Sequence, residues 1–272
     1  MMYSMSDLSE QKIMVYCDFE EPMAGAIDHG LRMAGIFKKE LCLFHPLGTD
    51  DKTERPQVQK KLETIIRQLK KQTAGTPISS LTLKGHLADT IDRITDDYDG
   101  IMLILATGHI REKTAALRQS QIPFLFVSDS IPEYLRYDRI LLPFDSRKAI
   151  KNSSLWASYF CRFNQSYLSL LIAQEKNTER QKQIGKNLKF ITALFSNLSL
   201  EFQLDHSEKN KFHLPTEALT KCRKEKFNLI IFVPDWQPGS EDFFPEEEII
   251  KEAARMPVLF INPNRHMYIL CD

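Results

Sequence analysis

Short apolar blocks recur in this chain in the same order and at one constant offset. Ile13-Met-Val-Tyr-Cys-Asp18 is matched by Ile140-Leu-Leu-Pro-Phe-Asp145, and Leu41-Cys-Leu-Phe44 by Leu168-Ser-Leu-Leu171. Ile101-Met-Leu-Ile-Leu-Ala-Thr107 is matched by Asn228-Leu-Ile-Ile-Phe-Val-Pro234 at the same offset, and Pro123-Phe-Leu-Phe-Val127 by Pro257-Val-Leu-Phe-Ile261 at a slightly longer one. Between the blocks, Val58, Leu62, Ile65 and Leu69 share a helical face, repeated by Ile184, Leu188, Ile191 and Phe195. One match could arise by chance, but five in order point to a tandem duplication. The 272 residues then divide into copies over 1–133 and 134–272, with the join near Ile131-Pro-Glu-Tyr-Leu135. Two domains is also what the length alone favours.

Each copy alternates strand and helix. In the first, strands are expected at 13–18, 41–46, about 78–84, 101–106 and 123–128. Helices are expected at about 22–38, through Val58 to Leu69, and around Ala88 to Thr95. Four of the strands are continuous apolar runs, the pattern of a parallel sheet covered on both faces. The fold class is therefore α/β, two doubly wound parallel-sheet domains in tandem. They are expected to pack as a pseudo-dimer through the last strands (123–128 and 257–261), whose free edges would otherwise recruit other chains. A further homodimer is compatible with that arrangement.

Composition excludes several functions. Lys+Arg and Asp+Glu both number 36, so the basic excess of a nucleic-acid binder is missing. No apolar run approaches the roughly 20 residues of a membrane span, and Met1 to Gln11 has no apolar signal core. The expectation is a cytoplasmic protein without nucleic-acid or membrane partners. Cys17, Cys42, Cys161, Cys222 and Cys271 are odd in number and form no C-x-x-C pair, which argues against a disulfide framework or a zinc knuckle. Those in apolar stretches read as small buried hydrophobes.

Ligands of such sheets sit beyond the carboxyl ends of the strands, at the switch in strand order. That places Asp18, His45 and Thr107-Gly108-His109 at the site of the first copy. In the second copy Asp145, Ala173-Gln174 and Pro234-Asp235 take those places. Asp18 and Asp145 suit a ribose hydroxyl, and equally a cap of the following turn or helix; the roles are compatible. Beside Asp18, His45 and His109 would suit acid–base or metal chemistry, but no metal-type spacing supports them, and ordinary cleft histidines is the simpler reading. Arg111, Lys113 and Arg118 would suit a phosphate or another anion, but a solvated helix face is the simpler reading, as it is for Lys60-Lys61, Lys70-Lys71 and Lys221-Cys-Arg-Lys224. Trp236, Phe243 and Phe244 either mark an interface or pack their own loop; packing is favoured.

The order of pieces resembles the universal stress protein family, which has the adenine nucleotide alpha hydrolase-like fold. They are Val15-Tyr-Cys-Asp18-Phe-Glu-Glu, Leu41-Cys-Leu-Phe-His45, Gly85-His-Leu-Ala-Asp-Thr-Ile91, Asp99-Gly-Ile-Met-Leu-Ile-Leu-Ala-Thr-Gly108-His109 and Pro123-Phe-Leu-Phe-Val127. The resemblance covers nearly the whole chain and is clearer in the first copy. It implies that Asp18 lies near a nucleoside, with phosphates held by a loop of Gly, two residues, Gly, nine residues, then Gly before Ser or Thr. After Gly108 no glycine follows before Pro123, and that stretch is too short for such a loop and its next helix. The second copy offers a lone Gly239-Ser240 followed by Glu241, Asp242, Glu246, Glu247 and Glu248, which repel phosphates.

The expectation is thus a non-catalytic stress-response or signalling protein that binds a small ligand or a protein partner, with degenerate ATP loops and no required cofactor. Cofactor-type contacts fall to Asp18, His45, Gly108, His109 and Asp145. The alternative is an adenine-nucleotide binder, taking ATP or AMP in the first copy, or a weak nucleotide hydrolase. G-x-S-x-G, P-loop and G-x-G-x-x-G signatures are absent from the sequence, as are S-G-G and H-x-G-H.

Overall fold

The computed structural model describes residues 11–19, 23–48, 51–73, 75–128, 135–234 and 246–262. Glu20, Glu21, Asp235, Trp236, Gly239, Ser240, Phe243, Phe244, Cys271 and most of the join lie outside the described residues, as do Glu241 and Asp242. The chain forms two compact units that divide between Leu135 and Arg136.

In the first unit the order is β1 (Lys12–Tyr16), α1 (Ala24–Phe37), β2 (Glu40–Pro46), α2 (Asp51–Gln72), β3 (Ile78–Leu83), α3 (Leu87–Asp96), β4 (Gly100–Ala106), α4 (Ile110–Gln119) and β5 (Phe124–Val127). The strands lie in the order β3-β2-β1-β4-β5, and every pairing is parallel. The second unit holds β6 (Arg139–Phe144), α5 (Ile150–Asn164), β7 (Tyr167–Ile172), α6 (Thr178–Asn197), β8 (Gln203–His206), α7 (Leu214–Glu225), β9 (Leu229–Phe232), α8 (Glu246–Glu252) and β10 (Val258–Phe260). Its strands lie in the order β10-β9-β6-β7-β8, again parallel. Strand order reverses between β1 and β4 in one unit and between β6 and β9 in the other. The doubly wound α/β class expected from the apolar runs is the class observed.

The repeat holds at the level of strand register. Ile13 pairs with Leu41 and Met102; Ile140 pairs with Leu168 and Leu229. Central strands are apolar throughout because helices cover both faces: every residue of β4 is buried. Edge strands differ. β3 is buried only at its two ends, Ile78 and Leu83, and β8 keeps only Asp205 partly covered. The four described cysteines are buried, and burial pushes the thiols of Cys42 up to about 11 and of Cys161 and Cys222 to about 12.

Two expectations change. The segment after Gly108 forms helix α4, whose buried face includes Lys113 and Thr114 as well as Ala116 and Leu117. Lys113, read as solvated, is 1% exposed. Arg111 and Arg118 on the same helix are exposed. Lys221 is likewise no simple solvated cation: it pairs with Asp205 at 3.2 Å and Glu225 at 2.6 Å.

One buried group gives the first unit a pH dependence. His29, on the inner face of α1, is 3% exposed, and burial pushes its imidazole down to about 4. The unfolded chain takes up that proton near pH 6.5. Its contribution is therefore intact above that pH and is lost as pH falls toward 4, at up to about 1.4 kcal/mol per pH unit. Between pH 7 and 5 the wild type should lose about 2 kcal/mol more than His29→Leu, read from urea midpoints at both pH values.

Candidate functional site

In the first unit the carboxyl ends of β1 and β2 open into a cleft of about 390 Å³ lined by Asp18, Phe19, His45 and His109. Three of the five candidate residues therefore meet in one place. Gly108 lies beside it in the connection between β4 and α4, without lining it. That connection is only Thr107-Gly108-His109, and His109, in the left-handed region at φ 46°, is the N-cap of α4. So tight a turn carries Glu112, from the first turn of α4, into the cleft wall.

The wall opposite comes from α2, which contributes Glu54 and Lys61. The third side is a bridge between Gly48 and Gly85, where the Gly85 amide donates to the Gly48 carbonyl at 3.1 Å. Gly85 has φ +118°, and a Cβ there would stand 3.3 Å from Asp89 Cβ, so only glycine makes this turn comfortably. The Asp89 carboxylate accepts from the His86 amide at 3.2 Å, fixing the start of α3 at the rim.

His45 is held from behind. Its Nδ1 lies 2.6 Å from the Cys17 carbonyl oxygen. A carbonyl only accepts, so Nδ1 carries the hydrogen and Nε2 is the acceptor of the neutral ring. The ring packs against Phe19 at 5.1 Å between centroids, and Lys61 Nζ sits 4.8 Å over the Phe19 ring. The site thus combines an aromatic platform with hydrogen-bond acceptors: Asp18, Glu54, Glu112 and His45 Nε2.

The equivalent place in the second unit is filled by the chain itself. Asp145 is 1% exposed, and Arg147 clasps its carboxylate. Arg147 Nε donates to Oδ1 at 3.0 Å and Oδ2 at 2.9 Å, and Nη2 donates to Oδ2 at 2.6 Å. The Arg147 amide donates to Oδ1 at 2.8 Å, so Asp145 organises the turn after β6 and does not cap α5, whose N-cap is Ala149. Arg147 Nη1 also reaches the Val233 carbonyl at 2.5 Å. The guanidinium therefore joins the carboxyl ends of β6 and β9 across the switch in strand order. Buried Asn187 of α6 donates to the carbonyls of Asp145 at 3.1 Å and Arg147 at 2.9 Å. Asn187 left a trace in the sequence, as an amide within an otherwise apolar helix face.

A smaller version of this arrangement occurs in the first unit. Lys113 Nζ donates to the Ala106 carbonyl at 3.1 Å and lies 5.5 Å over the Tyr16 ring. Val233 is the counterpart of Ala106 in the repeat, so both units set one of their own cations on the same carbonyl. The first does so from the buried face of α4 and keeps its cleft; the second does so beside Asp145. Among the described residues no cluster of His, Cys, Asp and Glu could hold a metal ion, and no helix is long and apolar enough to cross a membrane.

No family model matches the sequence, and no curated protein matches it. Solved structures do. A universal stress protein from Archaeoglobus fulgidus superposes with a TM-score of 0.67 at 12% identity, over 94% of this chain and 97% of the other. A functionally unknown protein from Pseudomonas aeruginosa gives 0.59 at 12%, over 96% and 95%. A proposed universal stress protein from the same species gives 0.55 at 11%, over 92% of each chain.

Proposed function

We propose, from a chain that carries the universal stress protein fold over nearly its whole length, that this protein acts by binding a small molecule, without catalysis, in the cleft of its first unit. The observation that carries this reading is the contrast between Asp18, which lines a cleft of about 390 Å³, and Asp145, which is held by Arg147. At the switch in strand order the first unit keeps a site, and the second closes the equivalent position with its own arginine. Occupancy would then be read by a protein partner as a signal in the stress response. The buried, protonated thiols of the described cysteines make poor nucleophiles, which favours binding over catalysis.

The lining favours a flat molecule rich in hydrogen-bond donors. Phe19 offers it a face, and the acceptors around the ring would meet amino and hydroxyl groups, as on a nucleoside. Glu54 and Glu112 oppose added phosphates. Among adenine nucleotides, affinity should fall from AMP to ADP to ATP, and Asp18→Ala should weaken AMP binding by about tenfold or more, the usual cost of a charged hydrogen-bond partner. Calorimetric titration of the full chain checks both. ATP binding tighter than AMP would favour the nucleotide-hydrolase alternative, and an unchanged affinity in Asp18→Ala would remove Asp18 from the site.

A further inference from the structure

We infer that the second unit carries a separate binding site for a small phosphate-bearing molecule with a flat apolar group, in a cleft of about 330 Å³ beyond the carboxyl ends of β7 and β8. The cleft corresponds to the outer part of the first unit's site, the part bridged by Gly48 and Gly85, and it is built the same way. In the first unit the Gly85 amide donates to the Gly48 carbonyl; in the second the Gln174 amide donates to the Lys209 carbonyl at 2.8 Å, pinning the loops after β7 and β8 together. The Arg147 clasp closes only the inner position, between β6 and β9, and leaves this one open.

Its charge is the reverse of the first. Lys176, Arg180, Lys209 and Lys211 line it, against Glu175 and Glu208. Glu175 is already engaged, since its Oε1 accepts from the amides of Lys176 and Asn177, both at 2.9 Å, and its Oε2 stands 3.8 Å from Arg180. Among the described residues no ion pair holds Lys176 or Lys209. Four cations gathered in one small cleft repel each other, and a dianion relieves that repulsion. Phe212 supplies the apolar part. It is one of three large exposed hydrophobics among the described residues, at 45%, with Lys211 Nζ 4.7 Å over its ring. Its exposure is not looseness. Asn210 Oδ1 accepts from the Phe212 amide at 3.1 Å, and the Asn210 carbonyl accepts from His213 at 3.1 Å and Leu214 at 3.0 Å. The loop is fixed with the ring outward, beside the cations, so an aryl phosphate would meet both at once.

The probes are phenyl phosphate and inorganic phosphate, titrated into the full-length protein at physiological salt and followed by NMR or calorimetry. Phenyl phosphate should saturate at one molecule per chain and bind more tightly than phosphate. Arg180→Ala and Lys209→Ala should each weaken it about tenfold, and Phe212→Ala should abolish the preference for the phenyl ester. Lys71→Ala, an exposed lysine of the other unit, should change nothing. Asp18→Ala should leave phenyl phosphate binding intact, which separates this site from the first. Non-saturating binding, an equal loss in Lys71→Ala, or loss in Asp18→Ala would each overturn the inference.

Discussion

Asp145→Ala should destabilise the second unit by about 3 kcal/mol or more, the usual cost of breaking a buried ion pair by removing one partner. The carboxylate is 1% exposed and accepts from Arg147 side-chain and backbone donors at 2.6–3.0 Å. Without it the guanidinium loses its carboxylate while still facing the Val233 carbonyl, and the turn after β6 loses its organising acceptor. Arg147→Ala should cost a similar amount by stranding the carboxylate. The double variant should lose clearly less than the sum, because the second removal deletes a charge already uncompensated. Denaturant unfolding of the four proteins measures this directly. Strictly additive losses would mean that the two side chains do not work as a pair. The same clasp decides which unit can bind, so its energetics bear on function.

Gly100→Ala should cost the first unit about 1–3 kcal/mol, from overpacking alone. A Cβ at this position would stand 2.5 Å from Ile94 Cγ2, 3.0 Å from the Ile94 carbonyl and 3.0 Å from Met14 Cγ. Side chains can yield, but a helix carbonyl cannot without shifting α3 against the start of β4. Because β4 adjoins β1 at the switch in strand order, such a shift would also reach the turn that bears Asp18. Thermal melting of the variant should show a clear drop, while Gly35→Ala, whose Cβ would meet nothing within 4 Å, should be neutral or mildly stabilising. A neutral Gly100→Ala would mean that α3 is not seated tightly on β4.

The fold was legible because burial on both faces writes itself into the strands. A run such as Ile101-Met-Leu-Ile-Leu-Ala106 has few readings other than a covered parallel strand, and its counterpart in the second copy established the repeat. The meeting of Asp18, His45 and His109 in one cleft followed from the same logic, since all three stand at carboxyl ends of neighbouring strands. What escaped the sequence were the cations that act from inside. Hydropathy treats Lys113 as a surface residue, yet α4 turns it inward to the Ala106 carbonyl. Arg147 gave no periodic signal because it works from within a turn, beside its own partner in the chain. The reversal of charge between the two clefts was hidden too, since the cations of the second come from two loops and a helix that only the fold brings together.

The most direct test of the account is native mass spectrometry of the freshly purified full-length protein and its Asp18→Ala variant, each titrated with AMP. The account predicts one AMP fewer on the Asp18→Ala chain than on the wild type, the one held by the first unit's cleft. An equal number of AMP molecules on both proteins would contradict the assignment of the Asp18 cleft in the first unit as a ligand site.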